Sequence, residues 1–237
     1  MKTTGFDFKE KVVLVTGAGR GIGAALAIEL CRRGAQVLGV ARSGDELAAT
    51  QRQCGENFLA FSCDLSEPQK IKQLFESIES RGLIPTVVIN NAGVIRVKKV
   101  EDQSFEDYEL MMRVNLLASF LISQEIFRRA KTQTSILNVS SLAGVMGLQK
   151  FAGFSLYTAA KAAVVGLSES LAVEGRAKKI MVNVVCPGAV DTQMLREALP
   201  SLKTETKPED VVPKFLSVIE RSFTESLTGH VEVLSDD

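Results

Sequence analysis

The sequence predicts an α/β fold: one doubly wound domain in which a mostly parallel sheet of about seven strands is flanked by helices on both faces. Two observations lead to this fold class. Short apolar runs rich in β-branched residues alternate with longer amphipathic segments along the chain, as expected for buried parallel strands joined by helices. No linker or change of composition interrupts the series, so we expect residues 1–237 to form a single domain.

Each element follows from its local pattern. The run Val-Val-Leu-Val at 12–15 predicts the first buried strand, and the helix predicted over 22–33 ends at Gly34, a usual residue after a helix C-terminus. The second strand is expected at 36–40. Later strands are expected at 58–62, 86–90, 135–139, 180–186 and near His230, with helices at 44–53, 67–81, 104–131, 155–176 and from Pro208 onward.

Composition argues against several classes of function. The 28 Lys and Arg residues balance the 28 Asp and Glu residues, so no overall field attracts nucleic acid or an anionic membrane, and we expect neither as a partner. The single histidine, His230, leaves no Ser-His-Asp triad and no histidine-based metal site. The four cysteines lack metal-ligand spacing and are expected to be reduced structural thiols, with no metal bound.

The N-terminal residues 1–7 contain no apolar stretch typical of a signal peptide, and no run of 18 apolar residues occurs in the chain. We therefore expect a cytoplasmic protein.

A glycine-rich turn follows the first predicted strand: Thr16-Gly17-Ala18-Gly19-Arg20-Gly21-Ile22-Gly23. Glycines allow close approach of the backbone, and the N-terminus of the following helix offers free N–H groups to a diphosphate. The strand-turn-helix context predicts a dinucleotide site. The required glycines are Gly17, Gly21 and Gly23, which gives G-x-x-x-G-x-G rather than G-x-G-x-x-G.

The end of the second strand favours NADP(H) over NAD(H). It reads Ala41-Arg42-Ser43, without the carboxylate that would bind a ribose 2′-hydroxyl. Arg42 could instead reach a 2′-phosphate, with Arg20 on its other side. The alternative is that both arginines are solvated loop charges.

Tyr157 and Lys161 lie four residues apart at the start of a predicted helix, which places them on one face. A nearby positive charge favours the phenolate and lowers the tyrosine pKa from its reference value of ~10. Tyr157 is therefore a candidate proton donor near neutral pH. Taken alone, such a pair also occurs by chance on many helices.

These motifs together resemble the short-chain dehydrogenase/reductase family, whose fold is of the Rossmann type, and in particular its 3-oxoacyl-[acyl-carrier-protein] reductase-like and carbonyl reductase-like members. The resemblance covers nearly the whole chain. Besides the glycine turn and the Tyr-x-x-x-Lys pair, it rests on Asp64-Leu65, Asn90-Asn91-Ala92-Gly93, Asn115, Asn138-Val139-Ser140-Ser141, and Cys186-Pro187-Gly188 with Thr192.

The resemblance implies a set of cofactor-binding residues. Asp64 and Leu65 are expected at the adenine ring, residues 91–93 at the adenosine ribose, and residues 187–192 at the nicotinamide end. The full expected set is Gly17, Gly19, Arg20, Gly21, Ile22, Gly23, Ala41, Arg42, Ser43, Asp64, Leu65, Asn91, Ala92, Gly93, Tyr157, Lys161, Pro187, Gly188, Val190 and Thr192.

The resemblance also implies four catalytic residues. Tyr157 protonates the carbonyl oxygen, Lys161 lowers the pKa of Tyr157 and bonds the nicotinamide ribose, and Ser141 stabilises the charge on the substrate oxygen. Asn115 holds a water that links Lys161 to solvent. Ser141 is preferred over Ser140 because it directly precedes Leu142-Ala143-Gly144, and a loop longer than usual separates it from Tyr157.

That loop bears on the substrate. Its apolar side chains, together with Met194 and Leu195, could wall a hydrophobic cleft, or could equally pack the core or a subunit interface: Leu142, Val145, Met146, Leu148, Phe151, Phe154 and Leu156. Arg96, Lys98 and Lys99 could attract an acidic carrier or a carboxylate, or be a solvated face.

The implied function is NADP(H)-dependent reduction of a ketone or aldehyde, such as a 3-oxoacyl thioester, carrier-bound or free, or another small to medium apolar carbonyl compound. Alternatives are an alcohol dehydrogenase working in the oxidative direction and a non-catalytic NADP(H)-binding regulator. A homo-oligomer, dimer or tetramer, is expected through the helices around 111–131 and 158–176. The closing Asp236-Asp237 leaves open the interface that many relatives form with a glycine-rich tail.

Overall fold

A computed structural model of the chain describes residues 6–234; the closing aspartates and most of the N-terminal segment lie outside the described residues. Seven strands form one sheet in the order β3-β2-β1-β4-β5-β6-β7, and every neighbouring pair is parallel. The predicted doubly wound α/β fold is confirmed. The strands are β1 Val12–Thr16, β2 Gln36–Ala41, β3 Phe58–Ser62, β4 Val87–Asn90, β5 Thr134–Val139, β6 Ile180–Pro187 and β7 Val231–Leu234.

Helices cover both faces of the sheet. They are α1 Gly21–Arg32, α2 Gly44–Cys54, α3 Pro68–Glu79, α4 Phe105–Met112, α5 Ala118–Arg129, α6 Ser155–Gly175, α7 Gln193–Ala198 and α8 Pro208–Thr224. Alternate side chains of β1 enter opposite cores: Val13 and Val15 pack with α1 and α8, whereas Leu14 packs with α3 and α5. Both faces of the strand are therefore buried, which explains its uninterrupted apolar sequence.

The predicted helix over 104–131 is divided in the structure. A π-helical turn, Arg113–Leu117, lies between α4 and α5, and α4 begins at a capping box made by Ser104 and Asp107. A π turn widens the helix by one residue and leaves the apolar periodicity nearly unchanged, so the sequence pattern did not reveal it. The short helix α7 was also absent from the prediction, since six residues are too few for a clear period.

Two helical stretches, 105–129 and 155–178, are long and apolar enough by composition to cross a membrane. Their most apolar windows are 44% and 39% buried within the domain, where they pack against the sheet. We interpret both as core helices of the domain.

The topology determines where a ligand can bind. Strands β1 and β4 are neighbours, and the chain leaves them in opposite directions, towards β2 and β5 respectively. At such a switch point the connecting loops diverge and open a crevice beyond the carboxyl ends of the strands.

Candidate active site

The turn between β1 and α1 can be built only with glycine at two positions. Gly17 has φ of +68°, and a Cβ there would lie 2.8 Å from Nδ2 of Asn91. A Cβ on Gly23 would lie 2.1 Å from the carbonyl oxygen of Gly17. The amide of Asn91 donates to the carbonyl of Thr16 at 2.9 Å, which joins the ends of β1 and β4 beneath the turn.

The N-terminus of α1 is prepared for an anion. Arg20, at the N-cap position, makes no capping hydrogen bond through its side chain, and the first turn of α1 contains no acidic residue. The first N–H groups of α1 and the positive end of its dipole therefore face the crevice with no carboxylate from that first turn as a partner.

A single cleft of about 1320 Å³ runs from this turn to Tyr157. It is lined by every residue of the predicted cofactor set except Gly23, whose contribution is the close packing of α1 against the turn. Among the predicted catalytic residues, Ser141, Tyr157 and Lys161 line the cleft, whereas Asn115 lies behind its wall.

One end of the cleft is bordered by Arg20, Arg42, Ser43, Glu46 and Asp64. Burial works to raise the pKa of Asp64, but hydrogen bonds from the N–H and hydroxyl of Ser66 and the nearby Arg42 hold it below its ordinary value. Both Ser66 bonds go to Oδ1. The Asp64 carboxylate is thus ionised at neutral pH, and Oδ2 receives neither of these bonds.

At the other end, Tyr157 lies on the first turn of α6 and is 8% exposed. Burial raises its pKa above the ordinary value, and a hydrogen bond with the Ser141 side chain only partly opposes that shift. The spacing of Tyr157 and Lys161 predicted a lowered pKa, so this expectation is wrong for the protein alone: burial disfavours the phenolate and outweighs the lowering effect of the Ser141 side chain. The hydroxyl is protonated at neutral pH.

Lys161 is buried one turn further along α6. Its Nζ donates to the carbonyl of Val139 at 2.9 Å and lies 5.8 Å from the centre of the Tyr157 ring. Burial lowers its pKa from 10.5 to about 8, with a small opposing effect of Cys186. The ammonium is therefore mostly charged at neutral pH but close to its titration range.

The two adjacent serines point to different places. Ser140 is buried, and its hydroxyl donates to the carbonyl of Lys161 at 2.7 Å, which ties the end of β5 to α6. Ser141 caps the short turn that follows, and its hydroxyl accepts a hydrogen bond from the N–H of Ala143 at 3.2 Å. The Ser141 side chain also lies close enough to Tyr157 to influence its pKa. Both serines line the cleft, and the choice of Ser141 as the residue that faces a substrate stays a prediction.

Asn115 occupies the middle of the π turn and is 1% exposed. Its side-chain amide donates to the carbonyl of Val94 and accepts from the Val94 N–H, both at 2.9 Å. A Cβ on Gly93 would lie 3.0 Å from Asn115 Oδ1 and 3.5 Å from Lys161 Nζ, so both groups border the same small space. The Asn115 side chain holds the loop after β4 in place.

The apolar loop before α6 divides between cleft and surface. Leu142, Phe151 and Phe154 line the cleft together with Met194 and Leu195, whereas Met146 is 83% exposed. The Phe154 ring contacts that of Tyr157 edge to face, with centroids 5.9 Å apart. The expected hydrophobic wall therefore exists, but only part of the loop contributes to it.

The basic residues Arg96, Lys98 and Lys99 do not line the cleft. Lys98 forms an ion pair with Asp107 at 2.6 Å, and Arg96 donates to the carbonyl of Ile95.

Several lining residues were missed by the sequence analysis. Val94 and Ile95 continue the loop after Gly93, and Leu199, Ser201 and Leu202 follow α7. Glu46 lies in the first turn of α2, and its approach to Gly19 in the glycine turn is a contact between elements distant in the sequence. Within residues 6–234 no group of three or more His, Cys, Asp and Glu side chains could hold a metal ion.

Comparison with known proteins identifies relatives of this chain. The family model for short chain dehydrogenases matches residues 11–203. The 3-oxoacyl-[acyl-carrier-protein] reductase FabG of Escherichia coli (strain K12) is 35% identical over 192 residues, 80% of this chain and 78% of FabG. A 3beta-hydroxysteroid dehydrogenase of Mediterraneibacter gnavus is 34% identical over 202 residues, 83% of this chain and 72% of that protein.

Solved structures extend the likeness over almost the whole fold. A short chain dehydrogenase from Burkholderia cenocepacia J2315 in complex with NADP has a TM-score of 0.86 and 27% identity, covering 97% of this chain and 98% of that one. A 4-hydroxyisoleucine dehydrogenase complexed with NADH has a TM-score of 0.82 and 27% identity, covering 95% and 96%. The chain belongs to the short-chain dehydrogenase/reductase family, and is an oxidoreductase that interconverts alcohol and carbonyl groups with a nicotinamide cofactor.

Proposed function

We propose that this protein uses NADPH to reduce a ketone or aldehyde of apolar character to the alcohol. The observation that carries the proposal is the placement of the Tyr157 and Ser141 side chains together at one end of a cleft whose other end presents Arg20 and Arg42. The first pair suits a carbonyl oxygen, and the second suits a phosphate.

The residues present fit a dinucleotide. Gly17, Gly19 and Gly21 line the cleft without side chains, so a diphosphate could approach the backbone of the turn closely, and the N-terminus of α1 offers N–H groups. Gly17 to Ile22 would hold the diphosphate, Asp64 and Leu65 the adenine, and Pro187 to Thr192 the nicotinamide end. The cofactor would supply a hydride to the carbonyl carbon.

The side chains of the chain itself supply the proton and the charge stabilisation. Tyr157 donates its hydroxyl proton to the carbonyl oxygen, and Ser141 donates a hydrogen bond to the same oxygen as negative charge develops there. The Lys161 ammonium, held by the carbonyl of Val139, stabilises the phenolate that remains. Asn115 keeps the loop after β4 against Lys161, so that the wall of this end of the cleft stays fixed.

The state of Tyr157 in the protein alone suits reduction. Because burial raises the pKa of Tyr157, the hydroxyl keeps its proton at neutral pH and can act as an acid towards a carbonyl oxygen. Oxidation of an alcohol is the same chemistry in reverse, so the choice of reduction rests on the proposed preference for NADPH. A non-catalytic regulator would have no use for a proton donor beside Ser141.

The substrate class is argued from the cleft wall and from the relatives. Leu142, Phe151, Phe154, Met194 and Leu195 give an apolar lining next to Tyr157. FabG, a relative at 35% identity, is named as a reductase of a carrier-bound 3-oxoacyl group. A 3-oxoacyl thioester or another small to medium apolar ketone is the substrate class we propose.

NADPH consumption with a panel of carbonyl compounds tests this function: a 3-oxoacyl thioester, a diketone, an aromatic aldehyde and a steroid ketone. Tyr157→Phe removes one hydroxyl, so it should still fold and bind NADPH while turnover falls by roughly 10²–10⁴, as for a lost general acid. Near-original turnover in the Phe variant would contradict the catalytic assignment. No turnover of any carbonyl by the unaltered protein would contradict the function.

Preference for NADPH is a separate prediction. Arg42 is exposed at the cleft and forms no ion pair within the described residues, so it is free for a 2′-phosphate. NADPH should bind at least about tenfold more tightly than NADH, which corresponds to about 1.4 kcal/mol. Arg42→Ala should weaken NADPH and leave NADH nearly unchanged in fluorescence titrations. Equal affinities of the unaltered protein for both cofactors would refute the preference.

We further propose that the protein is a cytoplasmic homo-oligomer. Exposed apolar side chains lie on the two long helical stretches beside the sheet: Phe105 and Tyr108 on α4, Phe120 on α5 and Val173 on α6. A second copy that packs against these helices would cover them. Light scattering of the purified protein measures the number of subunits, and a monomer would overturn the proposal.

A further inference from the structure

A carboxylate lies at the end of the cleft where the strand-end acidic residue is missing. Glu46 is in the first turn of α2, and its N–H donates to the hydroxyl of Ser43 at 3.2 Å, which fixes the start of this helix directly after Arg42. Its side chain lines the cleft together with Ala41 and Arg42. The sequence at the end of β2 alone gives no sign of this charge.

Glu46 packs directly on the glycine turn. A Cβ built on Gly19 would lie 2.8 Å from Glu46 Cβ, 3.1 Å from Glu46 Oε2 and 3.5 Å from the Cβ of Ala41. The carboxylate is thus close to both the turn and the last residue of β2. In folds of this class the acidic group that recognises the ribose lies beside these two elements.

The same carboxylate engages one of the two cations proposed to bind a phosphate. Arg20 Nη1 lies 3.4 Å from Glu46 Oε1, and the two side chains are 44% and 37% exposed. An ion pair with this much exposure contributes little to stability and exchanges readily. Arg20 can therefore leave Glu46 for another anion, but only in competition with it.

We infer that Glu46 is a specificity-determining residue that reduces the discrimination between NADPH and NADH. Its carboxylate can accept a hydrogen bond from a ribose 2′-hydroxyl, but repels a 2′-phosphate and competes with it for Arg20. The inference rests on the proposed position of the adenosine ribose beside Ala41 and Arg42. It predicts that this chain binds both cofactors, with a preference for NADPH smaller than two arginines alone would give.

The test compares two variants that each remove one negative charge from the first turn of α2. Glu46→Gln removes the carboxylate in the cleft, and Asp45→Asn removes that of its exposed neighbour, which does not line the cleft. The dissociation constants of NADPH and NADH are measured for both variants and for the unaltered protein by fluorescence titration. Thermal unfolding of each variant checks that the fold is retained.

Glu46→Gln should bind NADPH about fivefold more tightly, the order expected from unit charges a few ångströms apart near water, with NADH unchanged or slightly weaker. Asp45→Asn should change the ratio of the two constants less than twofold. An equal change in both variants, no change in either, or weaker NADPH binding by Glu46→Gln would overturn the inference.

Failure of the inference and failure of the proposed function give different results. If neither cofactor binds the unaltered protein, the proposed function itself fails. If NADPH binds and the Gln variant leaves the ratio unchanged, only the role of Glu46 fails.

Discussion

Burial acts on the two ionisable groups of the Tyr-x-x-x-Lys pair in opposite directions on the pH scale. It raises the pKa of Tyr157 and lowers that of Lys161 to about 8, because in each case the charged form loses hydration. Both effects favour the neutral side chain. At neutral pH the hydroxyl therefore keeps its proton, while the ammonium keeps its charge only narrowly.

This predicts the pH dependence of reduction. If the charged ammonium is needed to stabilise the phenolate left by Tyr157, kcat/KM should be level below pH 8 and should fall above about pH 8, as Lys161 loses its proton. Steady-state rates at saturating carbonyl and limiting NADPH measure the decrease of kcat/KM above pH 8. A profile that stays level to pH 9.5 would contradict the assignment.

A stability measurement identifies the titrating group. The folded state binds the Lys161 proton less tightly than the unfolded chain, so the charged side chain destabilises the fold below pH 8, and this cost decreases as the pH rises from about 8 to 10.5. Lys161→Met removes the cost. The Met variant should exceed the unaltered protein in free energy of unfolding most clearly at pH 7, with a smaller difference at pH 9.5.

The neighbouring serines provide a second prediction, because their hydroxyls have different partners. Ser141→Ala should lower turnover by roughly 10²–10³ with little change in NADPH affinity, as for removal of one donor to a developing oxyanion. Ser140→Ala loses the buried hydrogen bond to the carbonyl of Lys161, so it should lower stability by about 1 kcal/mol and affect turnover much less. Kinetics and urea unfolding of both variants with one substrate decide the assignment, and a larger loss of turnover at Ser140 would reverse it.

At the scale of elements, the strands were the most predictable part of the chain. Strands near the middle of the sheet are buried on both faces, and the apolar run Val-Val-Leu-Val of β1 is typical of such a strand. The glycine turn was equally clear, because Gly17 and Gly23 occupy positions that no other residue fits. These features depend on residues that are close together in the sequence, so the sequence alone predicts them.

The features that escaped prediction depend on contacts between distant elements. The π turn at Arg113–Leu117 is associated with the pairing of Asn115 with the backbone of Val94, 21 residues earlier in the chain. Glu46 enters the cleft because α2 packs beside the glycine turn, and the raised pKa of Tyr157 comes from burial that a spacing argument does not include. Sequence spacing shows which residues share a face of a helix, but not how far that face is buried from solvent.

The loop before α6 shows the same limit. Lys150 donates to the carbonyls of Ala143 at 2.9 Å and Val145 at 2.5 Å, so the loop folds back on the turn that begins at Ser141. Phe151 and Phe154 then face the cleft while Met146 faces solvent. Composition predicted an apolar wall, but only these contacts determine which side chains form it.

At the scale of the whole molecule, the helices α1 and α8 lie on the same face of the sheet and share one core with β1. A chain of ion pairs crosses between them at the surface: Glu29 accepts from Arg32 and Arg33, and Arg33 reaches Glu220 at 2.8 Å. The hydrogen bond from Arg32 is the largest influence that holds the pKa of Glu29 at about 2, against the opposing effect of burial.

This cluster should make the free energy of unfolding decrease at acid pH. The folded pKa of Glu29 is below its value of 4.5 in the unfolded chain, so its contribution is complete above about pH 4.5 and is lost as the pH falls towards 2. Glu29→Gln should lower the free energy of unfolding by about 1 kcal/mol at pH 7, a value reduced for the partial exposure of the cluster.

Urea unfolding at several pH values between 7 and 3 measures the difference. The difference in free energy of unfolding between the unaltered protein and Glu29→Gln should decrease below pH 4.5. At these pH values Glu29 becomes protonated in the unfolded chain, whereas the Gln side chain does not titrate. Glu174→Gln is the matched control, since Glu174 is an exposed helical glutamate on α6 that forms no ion pair within the described residues. That variant should match the unaltered protein at every pH. An equal loss in both variants, or a Glu29→Gln difference as large at pH 3 as at pH 7, would mean that the bridge from α1 to α8 does not carry this part of the stability.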